Sequence, residues 1–198
     1  MPRITRKQLL HDNGIYHIMN RGNNKQRLFN DNSDYMEFKK ITGLYKKRLQ
    51  FKIFHYCIMI NHFHVLVQIG EADTLSKAMQ GISQTYAMYH RRKYGNVGYL
   101  YQGRYKCRLI DKEKYLLECG RYIERNPLRA NLVTDLSEYR WSSYHYYANG
   151  KDDSLVSPDA LYDALGRTTP SRRRRYAVYL AEVTPYESIV EREMEKTL

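Results

Sequence analysis

The sequence is short of cysteine, proline, tryptophan and long apolar runs. Its three cysteines, Cys57, Cys107 and Cys119, lie far apart with no CxxC pair. That spacing argues against a disulfide framework or a thiolate zinc site and fits a reducing compartment. No apolar run approaches a membrane span, the mean hydropathy is −0.72, and MPRITRKQLLHDNG lacks an uninterrupted signal core. These absences predict a soluble cytoplasmic protein with no membrane partner. There is no internal repeat and no long low-complexity tract. Acidic residues are also scarce: 21 Asp and Glu face 33 Lys and Arg, a net charge of +12. A basic globular domain points to a polyanion, most often nucleic acid. A solvated basic surface without a dedicated ligand is the alternative.

What is abundant is tyrosine, 20 residues in a chain of 198. Tyrosines interleaved with Arg and Lys can stack on unpaired bases. The length suits one domain with an appendage. The first 13 residues read as a basic, weakly structured arm. IYHIMN, residues 15–20, reads as a strand running into RGNNKQ, a Gly- and Asn-rich turn flanked by basic residues. Within it Arg21, Asn23, Asn24 and Lys25 could hold phosphates or bases, or simply make a turn. Asp31 to Ser33 supply caps for a helix over 33–49, with Phe38, Ile41, Tyr45 and Leu49 at helical spacing.

FKIFHYCIMINHFHVLVQI, residues 51–69, reads as two strands with a tight connection at Asn61. In the second strand His62, His64, Leu66 and Gln68 share one face, and Phe63, Val65, Val67 and Ile69 the other. The second set is fit for a core. The two imidazoles either converge on a metal ion or are ordinary sheet histidines. A second helix spans about 75–94 and ends at Gly95. Residues 104–110 alternate cleanly, with Arg104, Lys106 and Arg108 on one strand face. Asp111 then caps a third helix that ends before Pro127. Tyr115, Cys119, Tyr122 and Asn126 fall on one stripe of it. ANGKDDS, residues 148–154, is the best linker. It separates a domain over 1–150 from a helical extension over 151–198, whose segments are VSPDALYDALG, SRRRRYAVYLAEV and PYESIVEREMEK. The order β-α-β-β-α-β predicts an α+β fold, a ferredoxin-like antiparallel sheet with two helices on one face. The histidine strand is then central, and the third helix is free to cross the open face.

Several separated segments occur in one order: GIYHIMNRGNNKQRLF, MINHFHVLV, YLYQGRYK, RYIERNPLRANLV and EYRWSSY. In these the chain resembles the REP-associated tyrosine transposases, a branch of the single-tyrosine transposases with a His-hydrophobic-His motif. Ile60 departs from the family, which commonly has Pro there. Residues 151–198 lie outside the resemblance. The resemblance implies an endonuclease and strand transferase acting on single-stranded DNA that forms imperfect palindromic hairpins. It implies Tyr122 as nucleophile, a 5′-phosphotyrosine intermediate, His62 and His64 as metal ligands, and Asn126 as the polar residue one turn on. Helical periodicity alone admits Tyr115 as well as Tyr122. Asn126 is either a third ligand or a helix cap.

A phenol with a pKa of about 10 needs activation at neutral pH. A divalent ion, Mg²⁺ or Mn²⁺, suits that role, and imidazole ligands favour Mn²⁺. Arg104, Lys106 and Arg108 are expected on the DNA backbone, and Arg21, Asn23, Asn24 and Lys25 as loop contacts; exposed charged or turn residues are the alternative for each. The chain is expected to be a monomer or homodimer. Two other readings remain: a non-catalytic sheet that binds single strands by stacking, and a rolling-circle initiator nuclease.

Overall fold

The computed structural model describes residues 10–110, 113–158 and 160–182, with backbone alone at 113–115. Asp111, the Tyr115 side chain, the helix expected from Pro185 and most of the N-terminal arm fall outside the described residues. The elements are β1 (Ile15–Arg21), α1 (Asn32–Leu49), β2 (Lys52–Met59), β3 (His62–Gln68), α2 (Thr74–Tyr94) and β4 (Lys106–Leu109). They continue as α3 (Glu113–Glu124), α4 (Asn126–Arg129), α5 (Tyr144–Asn149), α6 (Ala160–Ala164) and α7 (Thr169–Ala181). The strands lie in the order β2-β3-β1-β4, every neighbour antiparallel. This is the ferredoxin-like arrangement that the element order predicts, with the histidine strand inside the sheet. None of the described helices is long and apolar enough to cross a membrane. None of the three cysteines forms a disulfide.

The pleat divides the sheet into two faces. One carries Ile18, Phe63, Val65 and Val67, buried beneath α1 and α2. Phe38 of α1 lies 4.8 Å from the Phe63 ring and 5.2 Å from Tyr86 of α2 (centroid distances). Burying each such ring or branched chain contributes about 1.5–3 kcal/mol. The other face belongs to α3.

Asp31 caps α1 with a full capping box, its carboxylate accepting from the Ser33 and Asp34 amides. The same corner ties α1 to the end of α2. Lys93 Nζ reaches Asp31 at 2.8 Å and the buried Asp34 at 2.7 Å. Asp34 also accepts from Tyr94 Oη at 2.7 Å and Tyr89 Oη at 3.0 Å. Burial works to raise the Asp34 pKa, but hydrogen bonds from Lys93, the Asn30 amide and the tyrosines hold it below its usual range. A carboxyl with a depressed folded pKa stabilises above its unfolded value, about 4, and that stability is lost as pH falls through the folded pKa. Lys93→Met should therefore lower the urea midpoint at pH 7, and the deficit should shrink below about pH 4.

Three expectations need correction. β4 starts at Lys106, so Arg104 precedes the strand. The ladder with β1 begins at Met19–Lys106, and the chain before it crosses at a Gly22–Tyr101 bridge. The third helix is not continuous to Asn126. It ends at Glu124, and Pro127 opens the short α4 from its first turn, where a missing N–H costs nothing. The 148–154 stretch is not a loose linker. Asp153 pairs with Lys39 of α1 at 2.8 Å, and Ser157 N donates to Ile53 O of β2 at 2.7 Å. α7 then packs on the back of α3. Arg121 donates to Tyr179 O, Arg125 to Leu180 O, and Tyr179 Oη to Glu118 at 2.7 Å.

Candidate functional site

Register alone assembles the open face. Antiparallel partners point the same way, which gives three rows across the sheet. Arg21, His62 and Met59 form the first; Lys106, Met19, His64 and Cys57 the second; Arg108, His17, Leu66 and His55 the third. Lys106 and Arg108 share one face, as the alternation predicts, and the register makes it the histidine face. Arg104 does not join them.

α3 lies on this face because Gly120 lets it come close. A Cβ there would meet the His55 ring at 2.6 Å. Gly120→Ala should cost about 1–3 kcal/mol by overpacking, read as a lower melting temperature. The approach brings Tyr122 onto the sheet. Its ring centroid lies 5.8 Å from both His64 and His17, edge-on to each. His62 and His64 are 5.1 Å apart. Arg129 of α4 sits over the Tyr122 ring at 4.7 Å, within cation–π range.

Each histidine of the pair is oriented through Nδ1. His62 Nδ1 donates to Asn61 Oδ1 at 2.7 Å, and His64 Nδ1 shares a 2.9 Å hydrogen bond with His17 Nε2. With His62 Nδ1 protonated, its Nε2 keeps the lone pair. A proton on His64 Nδ1, donated to His17, does the same for His64. Oriented, neutral imidazoles of this kind suit metal ligation. All three are kept neutral chiefly by burial. His62 is lowered to about 4 with help from Arg21, and His17 to about 3 with help from Arg108. His64 is pushed well below its usual value by burial, then by His62, His17, Arg129 and Arg21.

Among the described residues no group of three or more His, Cys, Asp and Glu could hold a metal ion. Asn126 lies one turn beyond Tyr122. Its amide nitrogen donates to Tyr122 O at 2.8 Å and Ile123 O at 3.2 Å, capping the end of α3. The capping alternative thus describes the nitrogen, and the side-chain oxygen remains an acceptor. The donor set, two neutral imidazoles with the Asn126 amide one turn beyond Tyr122, is of the mixed nitrogen and oxygen type that suits a divalent ion.

Asn24 and Lys25 are exposed in the β1 loop, and both take positive φ values, 48° and 59°. Asn23 and Arg104 line a cavity against α2, on the face away from the histidines. The sequence reading overlooks His17, although IYHIMNR puts it on the strand face of Met19 and Arg21. It also overlooks a fully buried network behind Tyr122. Glu124 bonds His55 Nδ1 at 2.9 Å, Ser143 Oγ at 2.5 Å and Tyr176 Oη at 3.0 Å.

This ferredoxin-like sheet, with α3 on its open face, is a fold found among solved structures. It is shared with a REP-associated tyrosine transposase solved bound to a REP hairpin: TM-score 0.61 at 19% identity, covering 76% of this chain and 88% of that one. A candidate transposase from Deinococcus radiodurans is more distant, at TM-score 0.42 and 13% identity, covering 56% of this chain and 88% of the other. The tRNA(His) guanylyltransferase of Saccharomyces cerevisiae scores 0.45 at 8% identity, covering 89% of this chain and 75% of that one. Scores this low carry no functional argument. No curated protein matches the sequence. The model of the IS200-like transposases matches residues 11–126, more than half of the chain. The chain belongs to the IS200-like transposase family.

Proposed function

We propose that this transposase cleaves and rejoins single-stranded, hairpin-forming DNA through a covalent 5′-phosphotyrosine at Tyr122. The observation that carries the reading is the packing of the Tyr122 ring against His64 and His17 on a face ringed by Arg21, Lys106, Arg108 and Arg129. In this reading His62 and His64 hold Mg²⁺ or Mn²⁺, with Asn126 Oδ1 as the available third ligand. Bound there, the ion would polarise the scissile phosphate and offset charge on the leaving 3′ oxygen.

The chain supplies the rest. The Tyr122 Oη–P bond forms as the P–O3′ bond breaks. The phenol gives up one proton, the 3′ oxygen takes one, and no water is consumed. The phosphodiester energy stays in the phosphotyrosine, so a 3′-OH can reverse the step and join strands. Arg129 over the ring favours the phenolate and then the phosphate. Arg21 faces His62 across the strands, and Lys106 and Arg108 extend the positive field along the DNA backbone. His17 holds the His64 tautomer.

The test is a hairpin oligonucleotide labelled on either side of the cut, incubated with the protein and Mn²⁺ and run on a denaturing gel. The 3′-side label should shift with the protein and the 5′-side label should not, and chelation should remove the shift. Hairpin binding that survives chelator with no adduct under any metal would establish the non-catalytic stacking module instead.

A further inference from the structure

The histidine face carries sulfur as well as nitrogen, and strand cleavage leaves that sulfur idle. Met59 on β2 is the direct partner of His62, and Cys57 that of His64. Met19 on β1 is the direct partner of His64 from the other side. Direct partners point to one face with Cβ atoms about 4.5–5.5 Å apart, a separation that a methionine side chain spans. Both methionines are buried. Cys57 Sγ donates to Met59 Sδ at 3.5 Å, which fixes that sulfur beside the histidine strand. His62 is only half-buried and gives access from solvent.

Carboxylates, by contrast, are missing from the three rows of this face among the described residues. Its fixed charges are the cations Arg21, Lys106 and Arg108, with Arg129 over the Tyr122 ring. Hard divalent ions take oxygen ligands and use carboxylates to offset their charge. Repulsion from fixed cations scales with the charge of the ion, so a monovalent ion meets less of it. Thioethers select Cu⁺, and imidazole also binds copper. The flexible methionine side chain lets its sulfur turn onto a bound ion.

We infer that His62, His64, Met19 and Met59 form a Cu⁺ site, and that Cu⁺ bound there shuts out the divalent ion and stops strand cleavage. With two imidazoles and two thioethers around it, Cu⁺ has no position left for a phosphate oxygen. The ion keeps its oxidation state, and no bond of the chain is made or broken. Cys57 supports Met59 and is not itself a ligand. It is fully buried, and it does not join the two histidines in any group that could hold a metal ion. The inference rests on the reading of His62 and His64 as metal ligands and adds a second ion that regulates them.

The probe is Cu⁺ itself, kept reduced with ascorbate under argon and titrated into the full chain against the chelator bicinchoninate. The chain carries Cys107→Ser, because Cys107 is the one cysteine that is not buried. One Cu⁺ should bind, and X-ray absorption should show sulfur as well as nitrogen around it. Met19→Leu and Met59→Leu conserve volume and apolar character, and melting temperatures report that each variant is folded. Each should weaken Cu⁺ binding by about tenfold or more and leave Mn²⁺ binding within about twofold. One equivalent of Cu⁺ should suppress Mn²⁺-dependent DNA adducts in the parent chain and fail to do so in Met59→Leu. Cu⁺ affinity unchanged in either methionine variant, a shell without sulfur, binding that survives His62→Ala, or no binding at all would overturn the inference. So would adducts that persist at saturating Cu⁺. Sulfur-ligated Cu⁺ with no adduct under any divalent ion would sink the cleavage reading alone. Mn²⁺-dependent adducts with Cu⁺ affinity unaltered by the methionine changes would sink the copper site alone.

Discussion

Tyr122→Phe should abolish the covalent protein–DNA adduct and leave hairpin affinity within about threefold of wild type. The substitution removes one oxygen and keeps the ring. The edge-on contacts with His17 and His64 and the Arg129 guanidinium over its face all survive. No nucleophile then replaces the phenol at that point on the sheet. Residual strand breakage should fall by on the order of 10³-fold or more, since removing a nucleophile removes the step it performs. Tyr115→Phe is the paired measurement, because helical spacing admits both tyrosines. Adducts that vanish in Tyr115→Phe and persist in Tyr122→Phe would reassign the nucleophile.

Glu124→Ala carries the largest expected cost in stability, about 3–5 kcal/mol. Its carboxylate is buried and receives Ser143, Tyr176 and His55 from three different elements. Truncation leaves those groups with no water to replace it. For a chain of this size the melting temperature should fall by on the order of 10 °C. Glu124→Gln keeps the shape and some hydrogen bonds, so it should fall less. Both changes lie two residues from Tyr122 but touch His55, and not the His17 and His64 that the Tyr122 ring meets. Cleavage assayed well below the melting temperature should therefore persist. Loss of cleavage in a fully folded Glu124→Gln chain would show that the network positions Tyr122 as well as stabilising α3.

The sheet was readable because its signals are local. Alternation in HFHVLVQ assigns faces without knowledge of the partner strands, and Asp31 announces α1 by its own hydrogen bonds. The site was readable only in part. Tyr122 packs on His64, which adjoins His62, and motif order selected that tyrosine where periodicity did not. His17 meets His64 diagonally across two strands, so its role depends on a register that no single strand reveals. Arg104 follows the same alternation as Lys106 and Arg108, yet the ladder with β1 ends at Lys106 and leaves it outside the strand. Glu124 reads as one more charge on a charged helix, and its burial follows from the docking of α5 and α7, far away in sequence. The link at 148–154 has linker composition, but Lys39 gives Asp153 a fixed partner.

The docking of α7 on α3 also sets an order in time. Synthesis runs from the N-terminus, so the sheet, the histidines and Tyr122 all emerge before residues 169–181. Until those residues arrive, Arg121 and Arg125 lack the carbonyls of Tyr179 and Leu180, and Glu124 lacks Tyr176. The helix that carries the tyrosine is thus fastened last. A nascent chain can expose the sheet face while Tyr122 is still loosely held, and the docking of α7 closes that interval.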